Sequence, residues 1–169
     1  MKDYVIRRAA AADVPEICAV TKRAFAVYAD ALDAPADVSA LHETADEVNK
    51  DIAKNNVFVA VSGGAILGSI RWCALSDSLA YIYRFGVDPS VTKAGIGSDL
   101  LKAAVDDCQA KGFKAVALHT NSKYYSLARY YYGKQFYVHS VTTDRGYLRA
   151  LFIKELTSDP YDVSPAYKK

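Results

Sequence analysis

The chain has 169 residues, 51% of them hydrophobic, and a formal net charge of +2. A chain of about 150 residues buries roughly 68–70% of its unfolded surface, so this length supports one domain with a core of its own and the hydrophobic content excludes disorder. The charge gives no general field for nucleic acid or an anionic membrane, and no apolar run approaches the roughly 20 residues of a membrane helix. Three scattered cysteines, Cys18, Cys73 and Cys108, indicate neither a disulfide framework nor a zinc site. The first residues lack the charged-then-apolar pattern of an export signal, so the expected setting is reducing and cytoplasmic.

Tyr4–Arg8 reads as a strand, and Asp13-Val14-Pro15-Glu16 then opens a helix. Pro15 suits a first turn, and Val14, Ile17, Cys18, Thr21, Phe25 and Tyr28 fall on one helical face. Asp30–Ser39 is a loop. Thr44-Ala45-Asp46-Glu47 is a capping box that starts a short helix through Val48 and Ile52. Val57–Val61 and Ala65–Ala74 form a hairpin around Gly63-Gly64, and Leu79–Val87 follows as a third antiparallel strand. Strict alternation puts Leu79, Tyr81, Tyr83, Phe85 and Val87 on one face of that strand.

Asp88-Pro89 turns the chain towards an amphipathic helix with Ile96, Leu100, Leu101, Ala104, Val105 and Cys108 in one stripe, stopped by Gly112. Ala115–Leu118 is a short buried strand. The helix Tyr124–Tyr132 has Tyr124, Leu127, Ala128 and Tyr131 on one side, and Tyr137–Val141 and Tyr147–Leu156 are the last strands. The order β-α-α-β-β-β-α-β-α-β-β predicts an α/β fold: a mixed, mainly antiparallel central sheet flanked by helices, in a single domain over 1–156. Residues 157–169 are expected as an exposed tail or an arm onto a neighbour, which leaves a homodimer open.

The segment Thr92-Lys93-Ala94-Gly95-Ile96-Gly97 joins a strand to a helix, with Ser98 behind it. A helix N-terminus carries unpaired amides and about half a positive charge, and glycine lets a phosphate approach the backbone. The string is not a P-loop, and it follows a meander instead of the first strand of a dinucleotide fold. Taken alone it fits an anion site or a tight strand-to-helix turn.

Phe85-Gly86-Val87-Asp88-Pro89 followed by Gly95-Ile96-Gly97-Ser98 and Leu100-Leu101 resembles the central motif of the GNAT superfamily of N-acetyltransferases. The element order is similar to that superfamily from about Tyr4 to Leu156. The resemblance implies acetyl-CoA as cosubstrate, no metal, and a small-molecule or peptide amine as acceptor. It implies that Phe85 and Val87 meet the pantetheine and acyl group, and that Lys93, Ala94, Gly95, Gly97 and Ser98 meet the pyrophosphate. Thr92 stands where the family usually has Gln or Arg.

A later family motif, Ala-x-x-x-Tyr-x-Lys-x-Gly-Phe, aligns on Ala128, Tyr132, Lys134 and Tyr137, with Phe136 in place of the glycine. A shift by one instead sets Tyr131 on the tyrosine and Gln135 on the glycine. The first alignment makes Tyr132 the expected acid: a phenol of ordinary pKa near 10 is protonated at neutral pH and can give its proton to the departing thiolate. Asn121 is a candidate for the pantetheine amides, or a turn cap.

Members of that family often carry a Glu on the strand corresponding to Leu79–Val87, and this sequence has none there. Glu43, Glu47, His42, His119 and His139 are the other base candidates, and Phe25, Tyr28, Tyr81 and Tyr83 the candidate acceptor-pocket residues. The rival expectations are a non-catalytic acyl-CoA-binding or regulatory module and a purely structural domain.

Overall fold

The computed structural model describes residues 3–32, 38–91 and 95–169. Seven strands, β1 (Val5–Arg8), β2 (Asn56–Ser62), β3 (Ala65–Ala74), β4 (Leu79–Val87), β5 (Ala115–Asn121), β6 (Tyr137–Thr142) and β7 (Arg149–Glu155), form one sheet in the order β1-β2-β3-β4-β5-β7-β6. The α-helices are α1 (Val14–Asp30), α2 (Ala45–Lys54), α3 (Ile96–Ala110) and α4 (Tyr125–Gly133). Every pairing is antiparallel except that of β4 with β5. The mixed α/β sheet and the element order are those expected from the sequence. Among the described residues no helix is long and apolar enough to cross a membrane.

Alternation along the strands divides the core. One face of β2–β7 presents Ala60, Ile70, Trp72, Ala80, Ile82, Val116, Leu118, Ala150 and Phe152 to α3 and α4. On the opposite face Val57, Val59 and Ile66 meet Val14, Ile17 and Val20 of α1 and Val48 of α2. Thr44 caps α2 as the sequence suggests: its hydroxyl accepts from the Glu47 amide at 3.3 Å, and Glu47 accepts from the Thr44 amide at 2.7 Å. Asp13 does not cap α1. Its carboxylate accepts from the Ala10 amide and from Arg7, closing the turn before the helix.

Strict alternation fails in β4. The β3–β4 register slips between the pairs Ser69↔Gly86 and Arg71↔Tyr83, which inserts one extra residue into β4, and Arg84 has φ +49°. A bulge of one residue moves everything beyond it to the other face. Leu79, Tyr81 and Tyr83 therefore lie on one face, while Phe85 and Val87 join Ala80 and Ile82 on the α3 side. Gly86 is required beyond the bulge, because a Cβ there would sit 2.7 Å from the Ala24 Cβ of α1.

Most of residues 157–169 are exposed, but the segment also packs on the sheet through a few apolar side chains. Ala166 is fully buried, and Tyr161 and Val163 pack with it on Leu79, Tyr81, Leu151 and Ile153. The apolar residues at every second or third position, 161, 163 and 166, cover the part of the sheet that α1 and α2 leave open.

Candidate active site

Strands β4 and β5 pair only from Leu79↔Ala115 to Tyr81↔Ala117. Past that point the bulged β4 runs on to Val87 and β5 runs on to Asn121 without pairing to each other, so the sheet opens between them. A cavity of about 950 Å³ occupies this opening. Because the bulge exchanges faces, the cavity has two unlike ends. On the α3 side lie Phe85, Val87, Gly95, Gly97, Ser98 and Tyr130; on the α1 side lie Phe25, Tyr28, Tyr81, Tyr83, His119 and Arg149.

The α3 end is built for close approach to backbone. Gly95 precedes the helix with φ +82°, a left-handed conformation that favours glycine. The first described bond of the helix runs from the Asp99 amide to the Gly95 carbonyl at 3.1 Å. Preceding amides of a first turn have no acceptor within their own helix and point outward. A Cβ on Gly97 would stand 3.5 Å from Val87, 3.6 Å from the Phe85 ring and 3.8 Å from the Tyr130 hydroxyl, against the cavity wall. Tyr130 sets its ring 6.4 Å from that of Phe85, and its buried hydroxyl faces Ser98 without completing a hydrogen bond. An orphaned hydroxyl beside a glycine-lined helix start fits a polar ligand group. Thr92, Lys93 and Ala94, expected to bind phosphate, lie outside the described residues.

At the α1 end the Tyr81 hydroxyl and His119 Nδ1 are 2.9 Å apart. Burial, then the charges of Arg149 and Arg145, push the His119 pKa down to about 4, so the ring is neutral at physiological pH. Burial pushes Tyr81 and Tyr28 up to about 12. Tyr28 reaches from α1 to β5, where its hydroxyl accepts from the Asn121 amide at 3.0 Å. The expected pocket residues Phe25, Tyr28, Tyr81 and Tyr83 all line the cavity.

Two expected site residues are placed elsewhere. Tyr132 is 55% exposed and turns its ring to Phe152, outside the cavity lining. The helix rotation explains this: Tyr124, Leu127 and Tyr131 line the cavity, and Tyr132 lies a further 100° round. Tyr131 is 5% exposed, packed among Tyr130, Phe136 and Phe152. Burial holds its phenol well above the ordinary tyrosine value, with Tyr130, Tyr28 and Tyr81 adding to the shift. Gln135 adopts φ +67°, a left-handed conformation that favours glycine, and Phe136 is buried, which suits the alignment that sets Gln135 on the motif glycine. This is the register that pairs the motif tyrosine with Tyr131. Asn121 belongs to β5 and lies outside the cavity lining; its Oδ1 accepts from the Lys123 amide at 2.9 Å, the turn-capping alternative.

Of the base candidates only His119 lines the cavity. Glu43 is gripped by the fully buried Arg71 at 2.6 and 2.8 Å and by Arg84 at 3.0 Å, which ties the segment before α2 to β3 and β4. Glu47 belongs to the capping box, and His139 lies 6.0 Å from the Tyr167 ring, tilted against it. The sequence reading passed over Arg145, Tyr147 and Arg149, which complete the α1 end. No local motif marks them; the antiparallel return of β7 alongside β5 brings them there.

Residues 25–136 match the family model described as the Acetyltransferase (GNAT) family. The chain belongs to the GNAT acetyltransferase family. Solved structures agree on the fold. PaiA N-acetyltransferase from Thermoplasma acidophilum, in complex with coenzyme A, superposes with a TM-score of 0.78 at 16% identity, covering 90% of this chain and 98% of that one. The ribosomal-protein-S18-alanine N-acetyltransferase from Escherichia coli gives 0.73 at 15% identity, with 95% and 98% covered. YncA, a putative acetyltransferase from Salmonella typhimurium with acetyl-CoA, gives 0.72 at 16%, with 95% and 99% covered. No curated protein sequence matches this GNAT chain.

Proposed function

We propose that this GNAT protein transfers the acetyl group of acetyl-CoA to a primary amine of a small molecule or peptide, by direct attack within a ternary complex. The observation that carries the reading is the cavity at the β4–β5 opening, with a glycine-lined helix start at one end and a buried phenol, Tyr131, on its wall. Acetyl-CoA supplies an activated acyl group as its thioester. Gly95, Gly97 and Ser98 would hold the pyrophosphate through the first turn of α3, and the β4 backbone at Phe85–Val87 would hold the pantetheine and acyl portion. Tyr28, Tyr81 and Tyr83 would orient the amine, so that proximity supplies part of the rate. Tyr131, kept protonated by burial, would donate its proton to the departing sulfur and regain one from the amine through solvent. With a pKa near 4, His119 is too weak a base to collect that proton at neutral pH; it serves better as the fixed partner of Tyr81.

Thiol release from acetyl-CoA, followed over a panel of amines, amino acids and peptides, tests the reading. Acceptor-dependent release with formation of the N-acetyl product is expected. A second reading, a non-catalytic acyl-CoA-binding module, draws on the absence of any Asp or Glu among the described cavity-lining residues. Coenzyme A binding without acceptor-dependent release from any member of the panel would favour it.

A further inference from the structure

The α1 end of the cavity carries a feature that acetyl transfer as such does not require. Arg145 and Arg149 both line it, and the Nη2 groups of both donate to one main-chain oxygen of Lys169, at 2.8 and 3.0 Å. Lys169 Nζ lies over the Tyr81 ring, 5.9 Å from its centroid, and the Tyr81 hydroxyl contacts His119. One residue of the chain's own final segment thus lays an acceptor oxygen on an arginine pair and a primary amine along the proposed acceptor wall.

The pair is placed by the fold. Arg149 alternates with Leu151 and Ile153 on the α1 face of β7 and pairs with Asn121 of β5. Arg145 and Tyr147 enter from the β6–β7 connection. The third cation of the wall, Arg84, is already committed to Glu43. No Asp or Glu is among the described lining residues to neutralise the pair. Asp144 is 3.8 Å from Arg145 but is more than half exposed, bonded to the Thr142 hydroxyl and outside the lining. A purely cationic amine would meet this wall as one more positive charge. An amine that also carries a carboxylate would arrive with its own counter-charge, and guanidinium–carboxylate pairs are short, directional and about twice as strong as neutral hydrogen bonds.

We propose that Arg145 and Arg149 bind a carboxylate of the acceptor, so that the acceptor class is an amino acid or short peptide with a free carboxylate, and that Lys169 occupies the pair until such a ligand displaces it. The term acceptor rests on the acetyl-transfer reading, but the test does not require turnover. Titrate protein saturated with coenzyme A, which occupies any phosphate sites first, with the N-acetyl derivatives of lysine, leucine, phenylalanine and glutamate, each against its carboxamide. At least one acid should bind about ten-fold or more tightly than its amide. That preference should vanish in Arg145→Gln and Arg149→Gln variants that retain coenzyme A affinity, and deletion of Lys169 should tighten binding of the same acid. Equal binding of every acid and amide, binding of none, or a preference that survives Arg145→Gln together with Arg149→Gln would overturn the arginine pair as a carboxylate site. Unchanged affinity on deleting Lys169 would overturn its role as occupant. Carboxylate-selective binding without thiol release from any amine would leave the clamp standing and remove the transfer reading instead.

Discussion

Tyr131 and Tyr132 are neighbours in sequence, yet one is 5% and the other 55% exposed, and this difference is the ground for proposing Tyr131 as the acid. Tyr131→Phe keeps the buried ring and removes only the hydroxyl. It should lower kcat by about 10²–10⁴-fold with little change in the KM for acetyl-CoA. Tyr132→Phe should leave both near wild type. The reverse pattern in steady-state kinetics would return the role to Tyr132, and two inactive or two active variants would remove it from this pair. His119 gives a prediction in pH. Its unfolded pKa near 6.5 falls to about 4 on folding, so the unfolded chain binds the extra proton between those values. Stability from this group is full above about 6.5, declines as the pH falls towards 4, and changes no further below. Urea midpoints measured across that range should fall more steeply for wild type than for His119→Gln. The inward position of Tyr131 was legible in part: its helical spacing already set Tyr124, Leu127, Ala128 and Tyr131 on one side. The motif match to Lys134 outweighed it, because a linear pattern does not reveal that Gln135 can take a glycine's backbone conformation. The arginines of the α1 end were not legible, since they meet Tyr81 and His119 only through pairings across the sheet.

Elements were legible where their signals are local. The capping box at Thr44–Glu47, the Gly63-Gly64 hairpin and the apolar stripe of α3 each depend on residues a few positions apart, and each forms where expected. The bulge in β4 was not legible, because Arg84 is not a residue that advertises φ +49° and alternation looked unbroken. Its left-handed backbone is held by the Glu43 carboxylate on its Nε, a partner 41 positions away. The bulge shapes the cavity, since it sends Phe85 and Val87 to the α3 side just beyond the point where the pairing with β5 ends. A second left-handed residue, Gln135, closes α4 before β6 and carries less compensation: its Oε1 accepts one bond from Lys154 at 3.1 Å. The αL region costs a non-glycine residue roughly 1–2 kcal/mol, and glycine returns part of that through the entropy of the unfolded chain. Gln135→Gly should therefore raise unfolding stability by about 0.5–1 kcal/mol without altering turnover. A loss of stability in urea denaturation would mean that the Lys154 contact outweighs the backbone strain.

The whole molecule couples cofactor binding to stability, because the proposed coenzyme A site is assembled from β4, α3 and α4 and exists only in the folded sheet. A ligand that binds the folded chain alone stabilises it by about 2.7 kcal/mol at 100 times its dissociation constant. For a chain of this size that corresponds to a rise in Tm of roughly 5–11 °C. Gly97→Glu isolates the site from the fold. A Cβ at Gly97 meets Val87 and Phe85 at 3.5 and 3.6 Å, ordinary contact, so the apo variant should unfold close to the wild-type temperature. Its carboxylate, however, would stand at the first turn of α3 where the pyrophosphate is expected, filling the space and setting like charges together. Thermal scans with and without saturating coenzyme A should show the ligand-induced rise in wild type and little or none in Gly97→Glu. An equal rise in both would place the phosphates away from this turn. A variant that melts early without ligand would show instead that Gly97 serves packing between α3 and β4.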